Sequence, residues 1–399
     1  MMREAASERL RTLRQSPLAR RVVRLAPVAS LVALLSACAS DAPQDTFKPE
    51  GPIARDIKNL ATPVFLVAGV VFVLVEFGTL VLVRHFRARK DQPEDEFPPQ
   101  THGNTKLEIL WTIAPAVLLA VIGVFTVITI FKVDAYADDA TMTVKVTGQQ
   151  WWWAYEYDTD GDGKTDITTA NDLVIPANTM VKLEVTSRDV IHSYWIPRLN
   201  GKKDAVPGEV HELSIESDDV GTFIGNCTEF CGLSHTYMRQ RLVALDKSDY
   251  DAWVANQIED ASEPTDDQAK AGAELFATTC SRCHLARGIN DDEYEKAGSG
   301  DDLVSGPGPD LTHFATRGAF AGATFNLWET SDKNDIVQWD EIGKTLDKEN
   351  LENWLRNPPK AKPMDPADPD TTDVGRGMPD LNLTEEQIDQ LVAFLETLD

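Results

Sequence analysis

The sequence predicts a multidomain chain: a membrane-spanning helical hairpin, then a small Greek-key β-sandwich, then an all-α domain. Three observations predict it. Two apolar runs in the first third are each long enough to cross a bilayer; short alternating runs separated by turn residues follow them; and the last third opens and closes on apolar-periodic helices. A chain of 399 residues has room for two or three domains, and 42% hydrophobic residues suffice for ordinary cores.

The N-terminus carries seven arginines before the apolar run "LAPVASLVALLSA", which is too short to span a bilayer but suits the core of a signal peptide over residues 1–37. The run ends in "LSAC", which resembles a bacterial lipobox and implies cleavage before Cys38 and a lipid anchor on it. An alanine-rich exit from an ordinary signal peptide is the other reading. Residues 38–60 then form an extracytoplasmic segment. The hairpin, 61–131, contains "ATPVFLVAGVVFVLVEFGTLVLV" (61–83), whose single charge is Glu76, and the uncharged "LWTIAPAVLLAVIGVFTVITIF" (110–131). Between them, in a loop over 84–109, lie Arg84, Arg87, Arg89, Lys90 and Lys106, which the positive-inside rule places in the cytoplasm. Both flanking parts are then extracytoplasmic, in agreement with an exported Cys38. Glu76 would cost about 2.5–3.5 kcal/mol facing lipid at mid-bilayer, so it is expected to face a partner helix or cavity.

Residues 132–250 read as the sandwich, with strands in "TMTVKVTG", "WWWAYEY", "DLVIPANTMVKLEVTS", "VHELSIES" and "GTFIGN". In "DTDGDGKTD", Asp158, Asp160, Asp162, Gly163 and Asp166 match positions of a calcium loop. Thr169 stands where a bidentate glutamate belongs, and strands flank the loop, so an acidic hairpin tip is the better reading. The stretch "IGNCTEFCGLSHTYM" is the chemical centre of this domain. Cys227, Cys231, His235 and Met238 follow C-x3-C-x3-H-x2-M, and His192 ends an earlier strand run. Thiolates, imidazoles and a thioether favour copper over calcium or magnesium, whereas structural zinc rarely recruits methionine. A Cys227–Cys231 disulfide is the alternative for an exported protein.

A polar linker, 251–264, leads to the third domain, 265–399. Thr265 and Gln268 read as a capping box for a helix running into "CSRCH". In an exported chain, C-x-x-C-H lets Cys280 and Cys283 form thioethers to haem, with His284 as an iron ligand. Met364 and Met378 are candidates for the sixth ligand. Met378 stands in a methionine-proline step just before a final helix capped by Thr384 and Gln387, which resembles the small class I cytochrome c pattern; His313 is the rival axial residue. "GPGPDL" is expected to support the proximal side of the haem, and the acidic stretch 288–305 has no functional reading. All five cysteines are thereby assigned, while His85, His102 and His211 are read as structural or solvated.

The formal net charge of −26, with 64 acids against 38 bases, argues against a nucleic-acid partner. From residue 248 onward there are 33 acids and 12 bases, so −21 of the −26 lies there. This is a solvated acidic domain that could also steer a cationic partner.

The hairpin, the aromatic run and the copper loop, roughly residues 60–245, resemble the subunit II family of haem–copper cytochrome c oxidases. The resemblance implies a cupredoxin-like domain holding the binuclear CuA centre, with Cys227 and Cys231 as bridging thiolates. His192, His235, Met238 and the Glu229 carbonyl would complete it, and the Glu229 carboxylate would bind magnesium at the interface with subunit I. Trp151 aligns with the electron entry from cytochrome c, and Glu108 with the entrance of a proton pathway. The family's quinol-oxidising branch lacks these copper ligands, so cytochrome c is the implied source.

With the C-terminal cytochrome c domain, the composite resembles the caa3-type subunit II. The implied path runs from an upstream cytochrome c or cytochrome bc complex to covalent haem c, then CuA, then haem a of subunit I. Haem a3 and CuB also belong to that subunit, since this chain has no residues for them; subunit III would complete the complex in a bacterial plasma membrane. Two rivals are a CuA-bearing nitric oxide reductase subunit and a copper-delivery module.

Overall fold

The structure, a computed structural model, describes residues 42–87, 102–298, 307–330, 336–364 and 375–399. The expected signal peptide, Cys38, Arg89, Lys90 and the end of the acidic stretch lie outside the described residues.

Two helices are long and apolar enough to cross a membrane, α1 (Pro52–His85) and α2 (Thr105–Ala135). Proline starts α1, where a missing N–H costs nothing, and the Asn104 side chain accepts from the Leu107 N–H to cap α2. At 34 and 31 residues they run about 51 and 46 Å, well beyond a hydrocarbon core of about 30 Å. Both exceed the apolar runs that predict them. The extra turns of α1 are used at its outer end: Ile53 and Ala54 are buried, Arg55 makes a bidentate pair with Asp218, and Asp56 accepts from Lys132 Nζ at 2.7 Å and the Tyr136 hydroxyl at 2.9 Å. Most apolar side chains elsewhere along both helices are exposed, and so is Glu76.

The sandwich is built from β1 (Met142–Gln149), β2 (Trp152–Tyr157), β3 (Ile167–Ala170), β4 (Asp172–Pro176), β5 (Val181–Ser187), β6 (His192–Tyr194), β7 (Lys203–Ala205), β8 (His211–Ile215), β9 (Gly221–Asn226) and β10 (Arg239–Leu245). One sheet runs β3-β2-β1-β5-β8 and a second β4-β10-β9, while β6 and β7 form a hairpin. The β1–β5 and β4–β10 pairs are parallel, so the chain crosses between sheets as a Greek-key sandwich requires. Period-two burial fills the core: Trp153, Tyr155 and Tyr157 from β2 share one apolar cluster with Leu183 and Val185 from β5.

Three expectations change here. "DLVIPANTMVKLEVTS" is two strands in different sheets, broken at Asn178, whose φ is 54°. β10, absent from the sequence reading, is the middle strand of its sheet. Its opening Arg-Gln-Arg looks solvated, yet Gln240 and Arg241 are buried, with Gln240 donating to the Trp195 carbonyl. The expected linker 251–264 begins inside helix α3 (Lys247–Ile258), which Asp246 caps and which buries Tyr250 and Trp253 in the β core.

The last domain contains α4 (Asp267–Thr279), α5 (Asp291–Lys296), a short hairpin of β11 (Ala319–Phe320) and β12 (Phe325–Asn326), α6 (Lys348–Arg356), α7 (Pro358–Ala361) and α8 (Glu385–Leu395). Asp266, not Thr265, caps α4, accepting from the N–H groups of Gln268 and Ala269; a carboxylate one residue later competes better for the same orphan donors. Thr384 and Gln387 do form the expected capping box on α8. α4 and α8 cross where Gly272 lies against the Gln390 carbonyl, and the Phe276 ring packs tilted against that of Phe394, centroids 5.2 Å apart. A Cβ at Gly272 would overlap that carbonyl. Gly272→Ala is therefore expected to destabilise this domain by about 1–3 kcal/mol, measured by denaturant unfolding of the haem-loaded protein, although alanine is the better helix former.

Candidate metal and haem sites

The structure gathers the predicted copper ligands at one end of the sandwich. The Cys227 and Cys231 sulfurs lie 3.8 Å apart as free thiols. His192 Nδ1 is 3.9 Å from Cys227 Sγ, His235 Nδ1 is 3.5 Å from Cys231 Sγ, and Met238 Sδ is 3.8 Å from Cys231 Sγ. The loop is closed by the Cys227 N–H donating to the Met238 carbonyl, and the Glu229 carbonyl sits 3.3 Å from Cys227 Sγ. Two thiolates each about 2.3 Å from one tetrahedral metal would be about 3.8 Å apart, so the pair is pre-spaced for a shared ion. Three sulfurs, two imidazoles and a carbonyl form a donor set that fits copper.

Neighbouring groups fix this set. His192 is fully buried between Gly148 and Trp153, and a Cβ at Gly148 would come within 2.9 Å of its ring. Its Nε2 meets Asp189 at 2.8 Å, leaving Nδ1 toward the sulfurs. Burial works to raise the Asp189 pKa, but hydrogen bonds from His192 and the Gln150 and Val190 N–H groups hold it below the usual carboxylate range. The hydrogen bond between the thiols splits their titrations: Cys227 is lowered by its bond to Cys231, and Cys231 is raised by the same interaction and by burial. Two thiolates this close repel one another, and a bound cation is what would stabilise both.

The second site is a cavity of about 490 Å³ lined by Cys280, Cys283, His284, Met364 and Met378. His284 Nδ1 donates to the Pro309 carbonyl at 2.8 Å, which sets the tautomer and leaves the Nε2 lone pair as a candidate ligand atom. Gly308 presses on the same ring, where a Cβ would be 2.5 Å from Cε1, so "GPGPDL" supports the histidine as expected. Met378 packs against the core of its own domain, whereas Met364 packs against the sandwich core. His313 is spent structurally, with both ring nitrogens 2.9 Å from backbone carbonyls. Arg317, 3% exposed in the cavity wall, keeps an Nε without an acceptor among the described residues. An apolar cavity with one buried, under-used cation fits a macrocycle that carries carboxylates.

Trp151 links the two sites. Expected as an entry point for an external donor, it is only 4% exposed. Its Nε1 donates to the Cys231 carbonyl at 3.0 Å, and it also lines the haem cavity. The domain interface around it is hydrogen-bonded: Gln149 Nε2 to the Pro307 carbonyl at 2.8 Å, the Arg239 N–H to Gly322 at 2.9 Å, and the Gly318 N–H to Asp172 at 2.8 Å. Asp189, Arg317, Gly308 and Lys362 were not singled out from sequence, and apart from the GPGP run around Gly308 no local pattern marks them.

The remaining expected residues stand apart. Glu108 is exposed in the first turn of α2, at the loop end of the hairpin, and the Glu229 side chain is exposed. Asp158, Asp160 and Asp166 converge at the β2–β3 tip, where Asp158 accepts from the Gly161 and Gly163 N–H groups and Asp166 from Thr159.

Comparison with known proteins agrees domain by domain. Family models match as cytochrome c oxidase subunit II, transmembrane domain, over residues 45–128; its periplasmic domain over 159–244; and cytochrome c over 269–399. Cytochrome c oxidase subunit 2 of Alkalihalophilus pseudofirmus is 32% identical over 384 residues, 94% of this chain and 96% of that one. The subunit 2 of Bacillus sp. strain PS3 is 33% identical over 78% of this chain and 80% of its own. The crystal structure of the periplasmic domain of oxidase subunit II from Bradyrhizobium japonicum is 30% identical over 30% of this chain and 94% of that one, with a TM-score of 0.28. A transmembrane hairpin, a cupredoxin-like sandwich and a cytochrome c domain in this order, with a relative matched along nearly its whole length, mean that the chain belongs to the cytochrome c oxidase subunit II family.

Proposed function

We propose that the chain is the electron-inlet subunit of an aa3/caa3-type oxidase, taking electrons at covalent haem c and relaying them through CuA to haem a of subunit I, where O2 reduction is coupled to proton pumping. Residues 265–399 would be the haem domain, with Cys280 and Cys283 as thioether anchors and His284 and Met378 as axial ligands. His192, Cys227, Cys231, His235, Met238 and the Glu229 carbonyl would hold copper. Copper here would supply a one-electron relay, and the haem its inlet. The observation that carries the reading is Trp151, buried between the haem cavity and the Cys231 carbonyl.

The chain's own residues account for direction and partner. Trp151 lies under the cytochrome domain, so a soluble donor would meet the haem domain rather than the copper domain. Phe230, 78% exposed, and Leu233, 60% exposed, project from the copper loop as an apolar rim suited to the catalytic subunit. Glu229 stands on that rim, where its carboxylate would meet magnesium, and Glu108 lies at the opposite end of the hairpin, where it would feed protons. The membrane would be a bacterial plasma membrane, with both soluble domains outside, subunit III in the complex and Cys38 lipidated.

Low-temperature EPR and optical spectra of the copper- and haem-loaded chain test this assignment. Cys231→Ser is expected to abolish a delocalised two-copper signal and leave the haem spectrum intact. Met378→Ala should remove thioether ligation of the haem iron, whereas Met364→Ala should not. A silent copper spectrum in the unaltered chain would overturn the reading. Turnover with a basic cytochrome as donor should fall as salt is raised, because −21 of the net charge lies from residue 248 onward.

A further inference from the structure

Lys362 follows α7 in the cytochrome domain, yet its side chain crosses to the copper domain. It is 3% exposed, and its Nζ donates to the Trp151 carbonyl at 2.7 Å and the Ala321 carbonyl at 2.9 Å, one acceptor from each domain. A position that needed only to be filled would hold a methionine or leucine, because burying an amine is costly unless its donors are used. Burial pulls its pKa down to about 7, and the neutral amine still carries two N–H groups for the two carbonyls.

Its surroundings leave little play. The β11–β12 turn passes through positive φ at Ala321, Gly322 and Ala323, and a Cβ on Gly322 would overlap the Trp151 carbonyl and crowd Lys362 Nζ. Gly322 in turn accepts from the N–H of Arg239, the residue after Met238. Beside Lys362, the Pro363 carbonyl accepts from the hydroxyl of Ser234, the residue before His235.

We propose that Lys362 is a positioning residue: it holds the cytochrome domain in register on Trp151 and so sets the junction between haem cavity and copper loop. The inference rests on the electron path proposed above. Lys362 also lines the haem cavity, but both of its hydrogen bonds go to backbone carbonyls and not to a proposed ligand; it acts by holding the Trp151 backbone against the β11–β12 turn while the indole holds Cys231.

The test uses the full chain, loaded with haem and copper and assembled with its catalytic subunit. Lys362→Met removes both donors, and Lys362→Gln keeps an amide on a shorter stem. Haem-to-copper transfer after photoreduction of the haem should slow on the order of 10- to 100-fold in K362M and less in K362Q. Hydrogen exchange of the Arg239 amide, which reports docking directly, should quicken in the same order while EPR and haem spectra stay unchanged. If K362M fails to load, K362Q is read in the same way. An unaltered transfer rate, an unaltered Arg239 exchange, or altered cofactor spectra would each overturn the role of Lys362. Absence of haem-to-copper transfer in the unaltered chain would instead defeat the electron path, and Arg239 exchange would still decide whether Lys362 fixes the docking.

Discussion

The hydrogen bond from the Trp151 indole to the Cys231 carbonyl is the contact on which the arrangement turns. It ties the strand turn between β1 and β2 to the middle of the copper loop. Because Trp151 also walls the haem cavity, the same side chain belongs to both centres. The hydrogen bonds around it recruit backbone from both domains, so neither could shift without leaving buried polar groups unpaired.

A second constraint acts at the membrane end. Arg55 with Asp218, and Asp56 with Lys132 and Tyr136, join α1 to the sandwich and to α2 just outside the apolar spans. The Arg55–Asp218 pair is partly exposed and contributes little energy. Its value is geometric, since it fixes the sandwich on the end of α1. The buried Ile53 and Ala54 supply the apolar part of that seat.

Much of this was legible in the sequence because the chemistry is local. C-x3-C-x3-H-x2-M confines four donors to one loop, and C-x-x-C-H confines three groups to one turn, so spacing alone brings them together. His192, 35 residues before Cys227, came into the set through the resemblance to the oxidase family, and it opens the short strand β6 where the sequence placed it at a strand end. What escaped was contact between segments distant in sequence. Gln240 looks solvated until the Trp195 carbonyl of its own sandwich takes its amide, Arg241 until the second domain covers it, and Asp189 is an ordinary loop acid until His192 folds over it. The cap of α4 was misplaced by one residue because Thr265 and Asp266 are both competent caps and local patterning does not rank them. Trp151 was recognised, but its burial was not, because nothing within "WWWAYEY" says which surface another domain will cover.

On the proposed path, the covered Trp151 would also change the kinetic order of electron delivery. Where a copper domain stands alone, its donor must arrive by collision, and the step depends on how much donor is present. Here the cytochrome domain is on the same chain and already seated, so as a donor its effective concentration would be set by the interface and not by the medium. On the proposed path, scarcity of a soluble carrier would slow only the filling of the haem, and the handover within the chain would proceed at one rate whatever the supply outside.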